Sequence, residues 1–589
     1  MSRRGWLLVT TMLFGVLAPL TQNAARASSV PPPAPVLPAA TYKSVSEELL
    51  ISMDDGKRLA ATVAYPSIDG KTRAPGRFPV VVGLTPYGRN GVCGCIPPSF
   101  FSTRGMVGAV VDVRGTGGSE GDLSQNFFSP REAKDGYNVI EYFGTRSYSS
   151  GKVGMAGGSY VGITQYLTAE QQPPHLAAIT PAVAISDLYR DGFSHGGIEN
   201  LSFDLQYIAV QGAPGAAGTN TSPGLIQESV TSKAKQSPLG SIAFDYLKRP
   251  TDDAFYRDRS PIYHADRIKV PVLDIGQWHD GLLRGETEMY RALASRPGVE
   301  TRLLMDPCTH KGCGAPFAPF TAPSGLVDES AFIFEFLQQH LLGKSIPKRP
   351  KVEFYLQSAR RYVEADSWPP AGTRLTRYLL GPGDLSLAPV AAGTESYAFD
   401  PAAGLSMSFD QYGTVAGSPY IPTDQRLEDS HGLTFRTSVS RKSIRLTGPI
   451  ALHLVAASSA NDTDWYAKLA DVAPDGSESI ITAGALRASH RATEPTKSYP
   501  GRPFHTHVHP TPIEPGVFYG YDIEIWQTAY ELAPGHSLQL RLTSSDLPTH
   551  FPGSVYVDKQ HPKDTVLVPN PPATNTVRLG DSYLLVSLG

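Results

Sequence analysis

The feature that most constrains this chain is a series of short, unbroken apolar runs separated by helix-like stretches. "PVVVGLTPYG" (79–88), "MVGAVVDVRG" (106–115), "VGMAG" (153–157), "LAAITPAVAI" (176–185), "VPVLDIG" (270–276) and "TRLLMD" (301–306) recur through the first half. A strand that alternates apolar and polar residues has one wet face. A strand that does not alternate is covered on both faces, as in a parallel sheet. Helical periodicity over 131–143, 159–171, 285–295 and 328–342 fills the gaps. Asp328 stands where a helix would be capped and Gly343 where it would stop. Strands alternating with helices predict an α/β domain over residues 42–348.

Two departures from this rhythm divide the chain. Residues 187–264 are rich in Gly, Ser and Gln, with helical pieces near 200–211 and 238–248, and are expected to form a cap inserted over the carboxyl edge of the sheet. From residue 349 to 589 helix signals become scarce. "HSLQLRLTSSD" (536–546) puts Leu538, Leu540 and Leu542 on one face and polar residues on the other, and "SIRLTGPIALHLVAAS" (443–458) is strand-like. These patterns predict an antiparallel sandwich with one solvated face. A chain of 589 residues is expected to hold two or three domains.

The first residues read as an export signal. Arg3 and Arg4 precede an apolar run from Trp6 to Leu20, and Ala25 and Ala27 supply small residues before a cleavage point. Residues 1–27 are therefore expected to be a signal peptide, and "SRRGWLL" resembles a twin-arginine signal. Residues 28–41 form a proline-rich spacer that favours extended backbone. The mature protein is expected outside the bacterial cytoplasm, secreted or periplasmic, with no membrane span. A net charge of −3 gives no reason to expect nucleic acid as a partner.

Chemistry enters at "GMAGGSYVG" (154–162). A short strand, two glycines, Ser159 and a helical pattern describe a nucleophile elbow, which raises a hydroxyl above a sheet at a helix N-terminus. The general G-x-S-x-G pattern is broken, because Val161 takes the place of the second glycine, which arrives at Gly162. A serine hydroxyl needs a base, and the base needs an orienting carboxylate. Strand 270–276 leads to Asp280 and strand 301–305 to His310, in the chain order Ser, Asp, His of α/β-hydrolases. His279, Asp274 and Asp306 are neighbouring alternatives. An oxyanion hole would draw on the Tyr160 amide and on the loop "TPYGR", which carries the Tyr87 hydroxyl.

These residues resemble the CocE/NonD serine hydrolases, which include bacterial cocaine esterase, α-amino acid ester hydrolases, glutaryl acylases and Xaa-Pro dipeptidyl-peptidases. The resemblance runs from about residue 48 to the C-terminus. It rests on "ISMDDGKRLAATVAYP", "VVDVRGTGGSEG", "GKVGMAGGSYVG", "VPVLDIGQWHDG" and "DPCTH", and later on "DTDWYAKLADVAPDG" and "PGHSLQLRLTSSDLP". The family's serine follows G-x-S-Y-x-G, which Gly162 satisfies. The resemblance implies an α/β-hydrolase domain with an inserted helical cap, followed by a C-terminal jelly-roll-like β-sandwich. It implies Ser159 as nucleophile, His310 as base and then acid, Asp280 as its orienter, and Tyr87 and Tyr160 as the oxyanion hole. It implies no cofactor and no metal. Gln277 and His279 around Trp278, and Cys308 before His310, depart from the family's usual residues and alter the expected pocket wall.

The remaining expectations concern binding. Cys93 and Cys95 follow the Tyr87 loop, and Cys308 and Cys313 flank His310. Export makes disulfides the expectation, with cross-links between the two loops favoured over local pairs. A zinc site made of the four cysteines fits their spacing poorly. "FHTHVHP" would place His505, His507 and His509 on one face of a strand, either solvated or chelating a metal. Asp187, Asp191 and Glu199 near the cap entrance are candidates to hold a substrate's free α-amine, and Trp278 to line the pocket. The reading is a hydrolase of a small ester or amide. An Xaa-Pro dipeptidyl-peptidase and, more remotely, a non-catalytic surface-binding protein are the alternatives. A homodimer is left open.

Overall fold

The computed structural model describes residues 34–90, 95–122, 127–200, 246, 248–310, 326–399, 424–546, 550, 552–557 and 565–589. The expected signal peptide and the start of the spacer lie outside these residues, as does 201–245 of the cap. No helix among the described residues is long and apolar enough to cross a membrane.

The first sheet begins with an antiparallel pair, β1 (Lys43–Ser52) and β2 (Arg58–Ser67). It continues through β3 (Phe78–Thr85), β4 (Val107–Asp112), β5 (Ser149–Gly158) and β6 (Leu176–Ala182). A two-residue hairpin, β7 (Ser194–His195) and β8 (Ile198–Glu199), stands apart at the base of the cap. The sheet resumes with β9 (Val272–His279) and β10 (Thr301–Thr309) and ends with β11 (Val352–Leu356) and β12 (Arg361–Ala365). The spatial order is β1-β2-β4-β3-β5-β6-β9-β10-β11-β12. From β4 through β11 every neighbouring pair is parallel. β3, β4 and β9 bury nearly every residue, which is why their sequences do not alternate.

The connecting helices are α1 (Pro98–Ser102), α2 (Pro130–Gly144), α3 (Tyr160–Ala169), α4 (Ala254–Arg257), α5 (Leu283–Ala294) and α6 (Glu329–Leu342). The caps of α6 are those expected: the Asp328 side chain accepts the Ser330 amide, and Gly343 ends the helix at φ 67°. At the start of α2 the N-cap Ser129 accepts the Glu132 amide, and Glu132 reaches back past the cap to the Phe128 amide, a variant of the capping box.

β11 pairs in parallel with β10, and β12 folds back on it, so residues 352–365 extend the first sheet beyond residue 348. From Arg374 an 11-stranded sheet follows, built around the 15-residue strand Ile444–Ser458 and its antiparallel partner Tyr519–Leu532. Leu380, Phe435, Trp465, Leu486, Ile523, Leu540 and Val586, from strands far apart in the sheet order, share one core, so the sheet folds over on itself. The solvated face expected of 536–546 is covered. Arg541 is fully buried against Glu478 at 2.7 Å and Asp429 at 2.6 Å, and Gln539 donates to Glu478. Buried charge is tolerated there because each group has its partner.

The cap base joins the two sheets. The Arg487 amide donates to Gly196 O in the turn between β7 and β8, and a Cβ at Gly196 would collide with Ala485 O. At φ 60° with backbone that close, the turn needs glycine.

Candidate active site

Ser159 stands at the turn between β5 and α3, with φ 60° and ψ −129°. Such a conformation is costly for a residue with a side chain and persists only where the surroundings enforce it. Here the Ser159 amide donates to Ala182 O, and its carbonyl accepts the amides of Gly162 and Ile163, the first bonds of α3. The displaced glycine of the motif has a local cause. A Cβ at Gly162 would lie 2.5 Å from Ala182 O, so only glycine lets α3 settle this close to the end of β6.

His310 immediately follows β10, and Asp280 immediately follows β9. These strands are parallel neighbours whose register shifts between Asp306 and Thr309, just before the histidine. His310 Nε2 lies 2.8 Å from Ser159 Oγ, and His310 Nδ1 lies 2.8 Å from Asp280 Oδ2. The second Asp280 oxygen accepts the Leu282 amide at 2.6 Å. The Asp280 side chain is fully buried while that of His310 is 10% exposed, so the line runs from the interior toward solvent. The neighbouring alternatives are engaged elsewhere. His279 is buried, and burial lowers its pKa to about 4. Asp274 accepts the Tyr166 hydroxyl, and Asp306 accepts the Tyr362 hydroxyl at 2.5 Å.

Tyr160 heads α3, which puts its amide at the helix N-terminus beside Ser159. Its hydroxyl donates to Glu132 at 2.7 Å, and its ring is 4.3 Å from that of Phe128. Burial pushes the Glu132 carboxyl up to about 8. The half-buried Tyr87 ring meets Tyr160 edge-on, 6.1 Å between centroids. Its loop is pinned two residues later, where the Arg89 amide and guanidinium both reach Asp112 at 2.6 Å. Sequence reasoning missed Glu132, whose only signal was the Ser-x-x-Glu of a capping box. It also missed Glu286 in the first turn of α5, which is buried with neither carboxyl oxygen hydrogen-bonded among the described residues. Burial first, then the Asp280 charge, raises its pKa.

Other expected binding residues are placed differently. The Trp278 indole is buried, donates to Tyr355 O at 2.8 Å and packs 5.3 Å from Trp368, so it serves the interior rather than a pocket wall. Asp187 pairs with Arg190 at 2.7 Å, and Asp191 pairs with Arg284 at 2.7 Å while accepting the Ser186 and Asp187 amides. Both are buried, and each shares its arginine: Arg190 also pairs with Asp252 at 2.9 Å and Arg284 with Glu524 at 3.1 Å. Glu199 is also buried, 3.9 Å from Arg487, and burial raises its carboxyl to about 7. His505 and His507 are buried rather than solvated, with His507 Nδ1 3.0 Å from His490 Nδ1, whereas His509 is exposed. No group of three metal-ligating side chains occurs among the described residues. Cys93 and Cys313 lie outside those residues, and the cross-pairing expected of the cysteines lies there with them. Cys308 is buried, and Cys95 is half-buried near Gly83 of β3.

The second sheet also reaches this region. A pocket bordered by Asp280 is otherwise lined by His195 from the cap base and by residues of the all-β part, among them Tyr466, Lys468 and Trp526.

Comparison with known proteins accounts for nearly the whole chain. Residues 55–312 match the X-Pro dipeptidyl-peptidase (S15 family) model, and residues 346–583 match the X-Pro dipeptidyl-peptidase C-terminal non-catalytic domain. Cocaine esterase of Rhodococcus sp. (strain MB1 Bresler) is 26% identical over 557 residues, covering 86% of this chain and 92% of that protein. Among solved structures, a CocE/NonD family hydrolase from Staphylococcus aureus aligns with TM-score 0.71 and 20% identity, covering 93% of this chain and 94% of its own. An α-amino acid ester hydrolase aligns with TM-score 0.73 and 21% identity, covering 97% and 100%. With the two domains in the same order along its length, the chain belongs to the serine-hydrolase family of cocaine esterase and the S15 X-Pro dipeptidyl-peptidases.

Proposed function

We propose that this protein is an exported serine hydrolase that cleaves an ester or amide bond of a small substrate through an acyl-enzyme. The observation that carries the reading is the line Ser159–His310–Asp280, with both links at 2.8 Å and the serine on a strained turn. Ser159 Oγ attacks the substrate carbonyl carbon as His310 Nε2 takes its proton, and Asp280 stabilises the resulting imidazolium. The carbonyl oxygen gains a full negative charge, which the Tyr160 amide and the Tyr87 hydroxyl receive. His310 then gives its proton to the leaving alcohol or amine, leaving the acyl group on Ser159. A water molecule, deprotonated by the same nitrogen, attacks the acyl carbonyl, and the serine is regenerated with release of the acid. Export rests on Arg3 and Arg4, the apolar run from Trp6 to Leu20 and the alanines at 25 and 27.

The family model's name favours a second reading, release of N-terminal dipeptides. That reaction calls for a carboxylate free to hold an α-amine. Asp187 and Asp191 each already pair with an arginine, which argues against those two residues in that role. Turnover of a short-chain p-nitrophenyl ester and of Ala-Pro-p-nitroanilide by the mature protein tests both readings, with Ser159→Ala as control. The proposal expects ester turnover that falls roughly a millionfold in the variant. Anilide turnover that is lost when the amine is blocked would replace it with the peptidase reading. Turnover of neither substrate would sink both.

A further inference from the structure

Both donors of the proposed oxyanion hole lean on one buried ring. Tyr160 is fully buried, and its ring meets that of Tyr87 edge-on and lies 4.3 Å from Phe128 and 5.4 Å from Phe127. At the tip of the ring the hydroxyl donates to Glu132, 2.7 Å from Oε1 and 2.9 Å from Oε2. The same carboxyl holds the ring's cover, because Oε2 also accepts the Phe128 amide at 2.7 Å. Phe128 needs the hold. Its φ of 51° is costly for a residue with a side chain. One carboxyl group therefore fixes both the tip of Tyr160 and the ring packed on it.

Glu132 is itself held from two sides. It stands in the first turn of α2, and one turn later Asp135 accepts from Arg114 Nε and Nη2, both at 2.7 Å. Arg114 lies just beyond the end of β4, so the start of α2 is tied to the sheet. α2 also packs closely on α3, since a Cβ at Gly136 would collide with the Thr168 side chain. A donor stabilises an oxyanion only where the charge develops, and a misplacement on the order of 1 Å costs about a hundredfold in rate. The strained turn at Ser159 leaves the start of α3 dependent on such supports.

We infer that Glu132 is a positioning residue for the oxyanion hole. It acts through Tyr160, whose amide and whose contact with Tyr87 it keeps in place while charge builds on the substrate oxygen. The inference rests on the acyl-enzyme reading and adds to it the residue that supports its transition state.

Steady-state ester turnover and inhibition by an aliphatic trifluoromethyl ketone test it in the full mature protein. The serine oxygen adds to the ketone carbon, its proton passes to His310, and the ketone oxygen becomes an oxyanion in the hole. The inhibition constant therefore reports on the hole directly. In Glu132→Ala, kcat should fall about tenfold to a hundredfold with KM held within about twofold, and the inhibition constant should rise by a similar factor. Tyr160→Phe removes the hydroxyl alone and decides the matter where Glu132→Ala does not fold. It should move kcat and the inhibition constant in the same directions, by about fivefold or more. Glu132→Gln keeps an oxygen for the Phe128 amide and a partner for the Tyr160 hydroxyl, and should stay within about threefold of the unsubstituted protein. A purely structural role would lower the melting temperature and the amount of active protein but leave the inhibition constant unchanged. That result in the folded variants, or a loss confined to KM, would overturn the inference. Ester turnover that Ser159→Ala abolishes secures the acyl-enzyme reading first, so the variants then test Glu132 alone. Without that turnover the reading fails and takes the inference with it.

Discussion

Two sets of buried carboxylates lie on the same side of this protein, and they are built for different ends. Asp280 faces a histidine, and that histidine faces a serine. Asp187 and Asp191 face arginines. An arginine stays charged, so a carboxylate paired with it is committed, and the Asp191–Arg284 pair ties the cap base to α5. A histidine changes charge near neutrality, so a carboxylate paired with it can stabilise a charge that appears only during reaction. The type of partner separates the two sets, since depth of burial is common to both.

The largest expected effect breaks the first set. Asp280→Asn keeps the shape of the side chain but leaves His310 in the wrong tautomer. Turnover should drop about ten-thousandfold with the melting temperature nearly unchanged. The next breaks the second set. Asp191→Ala leaves Arg284 buried with one partner fewer, and denaturant unfolding should show a loss of about 3–5 kcal/mol. Its turnover per folded molecule should hold, and a loss comparable to that of Asp280→Asn would erase the distinction.

Two smaller effects sharpen the comparison. Tyr87→Phe should slow turnover about a hundredfold, or about 3 kcal/mol, if its hydroxyl receives the developing charge. An unchanged rate would remove Tyr87 from the mechanism. Glu132, beneath Tyr160, adds a pH signature. Its pKa rises from 4.5 to about 8 on folding. Between those values the unfolded chain has released a proton that the folded protein keeps, so stability declines as pH rises through the window and levels off above it. Glu132→Gln should flatten that decline, as measured by urea unfolding at pH 5 and pH 8.

The α/β part of the fold was legible because burial on both faces leaves a direct mark in sequence, and β3, β4 and β9 carry it. The elbow was legible for a related reason. A strained turn and a close helix demand glycines, and Gly162 shows the demand even where the general motif fails. Ser159, Asp280 and His310 could be placed by chain order, since each follows a strand of one sheet. Partnerships across long stretches of chain left no such mark. Nothing local shows that Asp191 meets Arg284, or that Trp278 donates to Tyr355 O. The alternation of 536–546 misled because Arg541 reads as a solvated residue until Glu478 and Asp429 are known to face it. β11 and β12 escaped for want of contrast, because an added hairpin at a sheet edge resembles the first strands of an all-β domain.

The most direct test of the central claim is to treat the mature protein with a fluorophosphonate and locate the adduct by intact mass and peptide mapping. The account predicts one adduct per chain, on Ser159, absent from Ser159→Ala and strongly slowed in Asp280→Asn. No adduct, or an adduct that persists in Ser159→Ala, would contradict it.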